Sequence, residues 1–513
     1  MYVGDYLGRR ALYSPDDLAV VDAGKAPHRS FTYSELNSRA NRLANWLRDG
    51  AGIHKGDRVA VLAYDGVEYL DTFFACGKLG AVLSGLNWRL HWRELLNLIE
   101  KVQPKVLIYS GDFAETVQKI AAETSAIEHY LHIEGPSIPN SRYYEKTLTD
   151  SVLLPVTTED LHEEDIACLI FTGGTSGLPK AAQVSHRMIA WNTLNTIIHD
   201  LHHGDVTVNT FPLFHTGGLL VYTTPLLILG GAVVLTRRFD AEQVLTLLEE
   251  YGATVYAGVP TMYQMMTAAP NWPTADLSNL RFCTSGGAAL PVSLVEQFQR
   301  EKGVQFKQGF GMSEFGPGVF ALAPEDAIRK AGSIGRPNFY VDARIVDEHN
   351  QPVLPGVVGE LVLRGPSLSS GYFNDPDAST SAVDEHGWFH TGDLAVMDDA
   401  QYFRIVDRKK DMFISGGENI YPNEIEQVIY KHPAVEMCAV VGVPDPQWGE
   451  VGKAVIVLKQ GQAATEAELL SHMQHFLAGY KVPRSVEFRD SLPTSAAGKI
   501  LKRVLLGEKE AEL

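Results

Sequence analysis

The segment Cys168 to Ala182, CLIFTGGTSGLPKAA, sets a short apolar run directly before Gly173, Gly174 and Gly177, the hydroxyl residues Thr172, Thr175 and Ser176, and Lys180. A run this short and apolar reads as a buried strand. The chain must then leave the sheet as a loop whose glycines let the main chain come close to a ligand. Backbone N–H groups, hydroxyls and an ammonium together suit phosphate oxygens. The spacing is not that of a Walker loop, which places glycine immediately before the lysine; Pro179 stands there. A P-loop NTPase is therefore disfavoured. An ordinary turn after a strand would use the same residue types, so other segments have to decide.

Val59 to Tyr64 (VAVLAY), Lys105 to Tyr109 (KVLIY), Ile166 to Phe171 and Ala232 to Leu235 have strand length with turn residues beside them. Helical patterns separate them. Thr32 and Glu35 form a capping-box signature, followed by Leu36, Ala40, Leu43, Ala44 and Leu47 on one stripe. Alternating strands and helices predict an α/β architecture. Beyond residue 406 a helix near Pro422 to Tyr430, strands at Met437 to Val443 and Ala454 to Leu458, and a capped helix from Thr465 predict a small α+β domain. The expected division is a large N-terminal domain over 1–406 and a small C-terminal one over 407–513. Gly217 to Leu235 is uncharged, but Pro225, glycines and threonines break it, so buried core is expected rather than a membrane span.

Lys and Arg number 44 against 62 Asp and Glu, a formal charge of -18, which repels the phosphate backbone of a nucleic acid. Cys76, Cys168, Cys283 and Cys438 lie far apart, as fits a reducing cytoplasm better than a disulfide scaffold. The first residues, MYVGDYLGRRALYSPDD, are too polar for the core of a signal peptide. The acidic run Thr157 to Asp165 reads as a solvated connection. Oligomeric state is not legible.

The order of strings carries more than any one of them. After the glycine loop come PLFHTGG (Pro212 to Gly218), TSGGAAL (Thr284 to Leu290), QGFGMSE (Gln308 to Glu314), GSIGRP, GELVLRGPSLSSGY, GWFHTGD, DRKKDMFISGGENIYPNEIE and LPTSAAGKILKR. This series resembles the AMP-forming adenylating enzymes: acyl-CoA synthetases, luciferases and amino-acid adenylation domains. It spans nearly the whole chain.

The resemblance implies a ligase that turns a carboxylic acid into an acyl-adenylate with ATP, releases pyrophosphate, and passes the acyl group to coenzyme A. It implies that Thr172, Gly173, Gly174, Thr175, Ser176, Gly177 and Lys180 hold the β- and γ-phosphates, and that Glu314 binds Mg2+, which favours carboxylate and phosphate oxygen together. Ser313 would touch the α-phosphate. Phe310 stands where the family has a tyrosine stacked on adenine, and Gly286, Gly287 and Ala288 would line the other side of the base; Gln308, Gly309, Gly311 and Met312 complete that string. Asp393 and Arg408 match the residues that reach the ribose, and Lys499 the catalytic lysine. Lys410 matches the hinge about which the small domain rotates, and Gly416 and Gly417 the thiol tunnel.

His215 matches a residue at the acyl pocket that also gates the thiol route. A metal role for it with His199, His202 and His203 lacks a ligand pattern. Tyr256, Val259 and Phe315 are further pocket candidates. The expected acid is a fatty acid, with hydroxycinnamic or benzoic acids as alternatives. PLFHTGG offers no carboxylate to an α-ammonium, which disfavours an amino-acid adenylation domain. A luciferase-like oxygenase shares these motifs, and a non-catalytic nucleotide- or acyl-binding protein is disfavoured by the charged residues present. The chain departs from the family at Gly173 and Ala181, where relatives have serine and glycine, and at Ala496 and Ala497.

Overall fold

A computed structural model describes residues 3–172, 179–288, 290–416, 418–494 and 500–507. These form two compact units. The larger takes the chain to Asp342 together with Arg364–Gly387, and the smaller takes Ala343–Leu363 and everything from Trp388. The boundary of the compact units thus lies upstream of residue 406. A four-stranded sheet of Asp342–Val346, Gly359–Arg364, Phe389–Met397 and Phe403–Arg408 ties that stretch together.

Two sheets build the larger unit. One runs, in spatial order, Arg142–Tyr143, His129–His132, Val106–Tyr109, Arg58–Leu62, Val82–Gly85, Ile166–Thr172 and Lys180–Ser185. All its pairings are parallel except the last, an antiparallel hairpin. The strands expected from VAVLAY, KVLIY and Ile166 to Phe171 are all there. Their continuous apolar runs follow from burial on both faces, the condition under which parallel sheets occur. In the second sheet the order is Arg336–Pro337, Phe320–Leu322, Gln305–Phe310, Phe282–Ser285, Val255–Gly258, Val206–Asn209, Ala232–Leu235, Leu18–Asp22 and Arg29–Thr32. Its five strands from Gln305–Phe310 to Ala232–Leu235 are mutually parallel. Their carboxyl ends therefore share one edge, where open α/β sheets bind ligands.

The helix Tyr33–Asn45 begins at Thr32 with the expected reciprocal capping bonds to Glu35. Leu36, Ala40, Leu43 and Ala44 are fully buried on it, and Leu47 continues the stripe into a π turn at Trp46–Gly50. They share one core with Val59 and Val61 of the first sheet and Val20, Val233 and Val255 of the second. Each buried leucine contributes about 2 kcal/mol, so Leu43→Ala, with its cavity, costs about 3 kcal/mol.

Gly217 to Leu235 packs as core, as expected. The short helix Thr216–Gly218 runs through π-helical Leu219–Thr223 into Thr224–Leu229, with Pro225 in the first turn, and Gly230 ends it at φ 104° before the strand Ala232–Leu235. Among the described residues no helix is long and apolar enough to cross a membrane.

In the smaller unit Glu418–Ile420, Phe413–Ser415, Gly449–Leu458 and Val435–Asp445 pair in that order, with Ser485–Phe488 beside Gly449–Leu458. The helices Pro422–Ile429 and Glu466–Phe476 bury Ile425 and Met473 against Val440 and Ile456, and Thr465 and Glu468 make the expected capping box.

Candidate functional site

The glycine-rich loop is the tip of the hairpin Ile166–Thr172 and Lys180–Ser185, whose register sets Thr172 opposite Lys180. Gly173, Gly174, Thr175, Ser176 and Gly177 lie outside the described residues. At the root of the hairpin the Lys180 ammonium stands 4.9 Å from the centre of the Tyr372 ring, and the Tyr372 hydroxyl donates to Glu314 Oε1 at 2.8 Å. Burial first, and then the charge of Glu314, raises the Tyr372 phenol well above its ordinary pKa, so it stays a donor at neutral pH. The Glu314 carbonyl accepts from Ser369 N at 2.8 Å. Lys180 and Glu314, chosen separately from the sequence, are thus brought together by Tyr372. Sequence reasoning gave Tyr372 no role, although the GPSLSSGY string holds it.

The strands Phe282–Ser285 and Gln305–Phe310 pair with Thr284 opposite Lys307 and Ser285 opposite Gln308. Gln308 turns to the closed face, where its amide accepts from Leu290 N and donates to the Ser333 carbonyl. Gly309 and Gly286 lie on the other face with room around them: a Cβ on Gly286 would meet only the Gly309 carbonyl oxygen, at 3.4 Å. Gly287 sits at φ 79° and Ala288 is exposed; Val259 approaches a Cβ placed on Gly287 to 3.5 Å. Phe310 packs edge-on against Phe320, with centroids 5.9 Å apart. Gly311 tolerates no side chain, because a Cβ would overlap the Pro317 carbonyl oxygen at 1.4 Å. Met312 is half-buried, and Ser313 Oγ lies 3.5 Å from Thr216 Oγ1.

His215 caps the Thr216–Gly218 helix, its Nδ1 accepting from Gly217 N at 3.4 Å. Asp65 holds the preceding turn, Oδ1 accepting from Leu213 N at 3.0 Å. Burial pushes the Asp65 carboxyl up to about 8 against the opposing pull of that bond and of Arg89. Arg89 lies 4.6 Å from the Trp88 ring centre, and Arg238 lies 5.1 Å from it and donates to Tyr64 Oη. Nothing in the sequence pattern points to Asp65 or Arg89, which meet this turn only through the fold, Arg89 lying 6.0 Å from the centre of the Phe214 ring.

Tyr256 corrects an expectation. It is wholly buried on the closed face, edge-on to Tyr263 with its hydroxyl 3.2 Å from Thr210 Oγ1, so it is core and does not line a pocket. Strand alternation turns Ala257 to the other face. Phe315 is likewise wholly buried, in the turn after Glu314.

In the smaller unit the antiparallel register sets Asp393 opposite Arg408, and Arg408 Nε lies 2.5 Å from the buried Asp393 Oδ1. Glu360 supports the same turn, accepting from Gly392 N and from Lys409 Nζ, with His390 3.3 Å away. Burial acts to raise the Glu360 carboxyl, but Lys409 and His390 outweigh it and hold it below the ordinary range. Lys410 lies in the turn that follows. Gly416 needs to be glycine, with φ 60° and the Trp448 indole 2.7 Å from any Cβ. Gly417 and Lys499 lie outside the described residues. A bridge joins Thr494 and Ile500, and Lys502 Nζ pairs with Glu426 at 2.8 Å.

The sequence pattern of the AMP-binding enzyme family matches residues 7–373, and that of the AMP-binding enzyme C-terminal domain matches residues 424–499. Feruloyl-CoA synthase of Amycolatopsis sp is 43% identical over 501 residues, covering 98% of this chain and 97% of its own. Indoleacetate–CoA ligase of Aromatoleum aromaticum is 37% identical, with 98% and 97% covered. The crystal structure of ATP-bound MatB from Rhodopseudomonas palustris superposes with a TM-score of 0.89 at 30% identity, over 99% of each chain.

Proposed function

We propose, for a chain that belongs to the AMP-binding enzyme family and is an AMP-forming acid–thiol ligase using ATP and CoA, that its acid is an aryl acid activated beside Lys180, Tyr372 and Glu314. That constellation carries the adenylation part of the reading: a fixed cation and an oriented carboxylate stand together at the root of the glycine hairpin, as charge neutralisation of ATP requires. A fatty acid was the expectation from sequence alone. The aryl alternative is favoured by relatives named for feruloyl and indoleacetyl groups.

In the first half-reaction a carboxylate oxygen of the acid forms a bond to the α-phosphorus of ATP while the bond to pyrophosphate breaks. Lys180 neutralises phosphate charge. Phe310, Gly286, Gly287 and Ala288 border the base, and Asp393 accepts from ribose hydroxyls with Arg408 at its side. Lys499 draws the acid and the phosphate together. In the second half-reaction the CoA thiolate attacks the acyl carbon and AMP leaves with the electron pair.

Mg2+ fits Glu314: Tyr372 occupies Oε1, and a hard cation prefers the remaining carboxylate oxygen shared with phosphate. When bound it would neutralise charge on the departing pyrophosphate. Rotation about Lys410, with a functional boundary at 406/407, exchanges Lys499 for the tunnel at Gly416 and Gly417 between the two half-reactions. The dispersed cysteines keep the cytoplasm as the compartment we assign. Pyrophosphate release measured over a panel of aryl and alkyl acids, with and without CoA, tests the reading. Release with alkyl acids only would sink the aryl assignment.

A further inference from the structure

The helix His186–Ile198 carries a polar residue, Asn192, that is only 1% exposed. An amide inside a helix competes with the main chain, and burying it costs free energy unless its donor and its acceptor are both used. Both are used, on two segments far away in sequence. Asn192 Nδ2 donates to the Leu220 carbonyl at 2.8 Å, and Oδ1 accepts from Gly318 N at 3.2 Å. A carbonyl only accepts and an N–H only donates, so these partners also fix which way the amide points.

The need for the first bond is written into the chain after His215. In the π turn Leu219–Thr223, Thr224 N donates to the Leu219 carbonyl, five residues back. The same spacing would offer the Leu220 carbonyl the nitrogen of Pro225, which carries no hydrogen. Asn192 supplies the missing donor. Its second bond grips the end of the loop from Gly311 to Gly318, which closes where Gly311 meets the Pro317 carbonyl. Gly316, at φ 74°, lies against the same helix: a Cβ there would meet Met188 Cε at 3.1 Å and Asn192 Cβ at 3.4 Å. That loop carries Ser313 and Glu314, and Ser313 Oγ lies 3.5 Å from Thr216 Oγ1. One buried side chain thus ties the helical segment that His215 caps to the loop that carries Glu314.

We propose that Asn192 is a positioning residue for adenylation, setting the loop of Ser313 and Glu314 against the His215 segment so that acid and α-phosphate are held in line. The inference rests on the adenylation reading above. Asn192 acts through these two segments and adds no chemical step. An in-line displacement governed by placement is sensitive to such spacing, and a shift of about 1 Å costs about a hundredfold. Thioester formation has no pyrophosphate to place, so it depends less on where Glu314 stands.

The test uses the full chain with ATP, Mg2+ and the acid that a panel of aryl and alkyl acids shows to be turned over fastest. Pyrophosphate release reads adenylation, and CoA consumption with supplied acyl-adenylate reads the second half-reaction. Asn192→Ala should lower kcat for pyrophosphate release by about tenfold or more and leave the second half-reaction within about twofold. Asn192→Asp, of the same shape but without the donor, should show the same one-sided loss. Because Asn192→Ala also leaves the Leu220 carbonyl unpaired, its urea midpoint should fall. Adding Pro225→Ala returns an N–H to that carbonyl, so the double variant should regain stability while adenylation stays slow. Equal losses in both half-reactions, an unchanged kcat, or adenylation restored together with stability in the double variant overturns the assignment of Asn192. A wild type that releases no pyrophosphate with any acid of the panel overturns the adenylation reading itself, which is a distinct failure.

Discussion

The Tyr372 hydroxyl donates to the Glu314 carboxylate, so Tyr372→Phe isolates the worth of orienting that carboxylate. The phenyl ring remains, and with it the contact to the Lys180 ammonium 4.9 Å away, so the substitution removes one hydrogen bond and little else. A hydrogen bond to a charged acceptor contributes about 1.5–3 kcal/mol. If the carboxylate is needed in position only as charge develops, that becomes about a ten- to hundredfold loss in kcat/KM for pyrophosphate release. Because burial and the Glu314 charge keep the phenol protonated, the loss should be the same from pH 6 to 9. Glu314→Gln should cost about a hundredfold or more by weakening the hold on Mg2+. The double variant should be no worse than Glu314→Gln alone, since both changes act through one carboxylate. Stopped pyrophosphate assays across a Mg2+ titration measure all three. Additive losses, or a Tyr372→Phe enzyme with unchanged rate and Mg2+ dependence, would refute the reasoning.

Three further outcomes concern Lys499, Gly416 and His186. Lys499→Ala should abolish adenylation yet largely spare thioester formation from supplied acyl-adenylate; equal loss of both half-reactions, read by pyrophosphate release and by CoA consumption, rejects its role. Gly416→Ala forces a side chain into the left-handed region and against Trp448, which should destabilise the smaller unit by about 1–3 kcal/mol and slow the CoA step more than adenylation, as urea unfolding and half-reaction rates would reveal. His186 is buried, neither ring nitrogen has a partner among the described residues, and burial lowers its pKa to about 4. The unfolded chain therefore takes up this proton first, below about 6.5, so stability present at pH 7 is lost as pH falls from there towards 4. By linkage about 2 kcal/mol should go between pH 7 and 5, and His186→Leu should remove that component of the pH dependence of urea unfolding. Parallel curves for the two proteins would contradict it.

What the sequence made legible was whatever lies contiguous along the chain. Strand runs, the Thr32 and Thr465 capping boxes and the motif series each keep their information within a few residues, and local sterics and hydrogen bonding reproduce them in the fold. Asp393 and Arg408 were also recoverable, because a hairpin register brings two motifs of neighbouring strands face to face. Tyr256 was not, because the apolar segment TVYAG is buried on both faces of a parallel sheet and carries no alternation from which to choose the open side.

The residues missed altogether share one property: their partners are distant in sequence. Tyr372 meets Glu314 across 58 positions, and Asp65 meets Leu213 across 148. Neither has a local signature, since a tyrosine after glycine and an aspartate before glycine are ordinary turn residues. Both hold a motif residue or a motif backbone in place rather than contributing a motif of their own. The same logic makes Thr284 and Tyr222 informative. Their hydroxyls lie 2.6 Å apart although the residues are 62 positions apart, one in the TSGGAAL string and the other in the helical segment that follows His215. The motif glycines and lysines define the reaction the site can perform. Which acid enters depends on side chains that only the fold brings beside them, so specificity has to be sought in the fold rather than within the motifs.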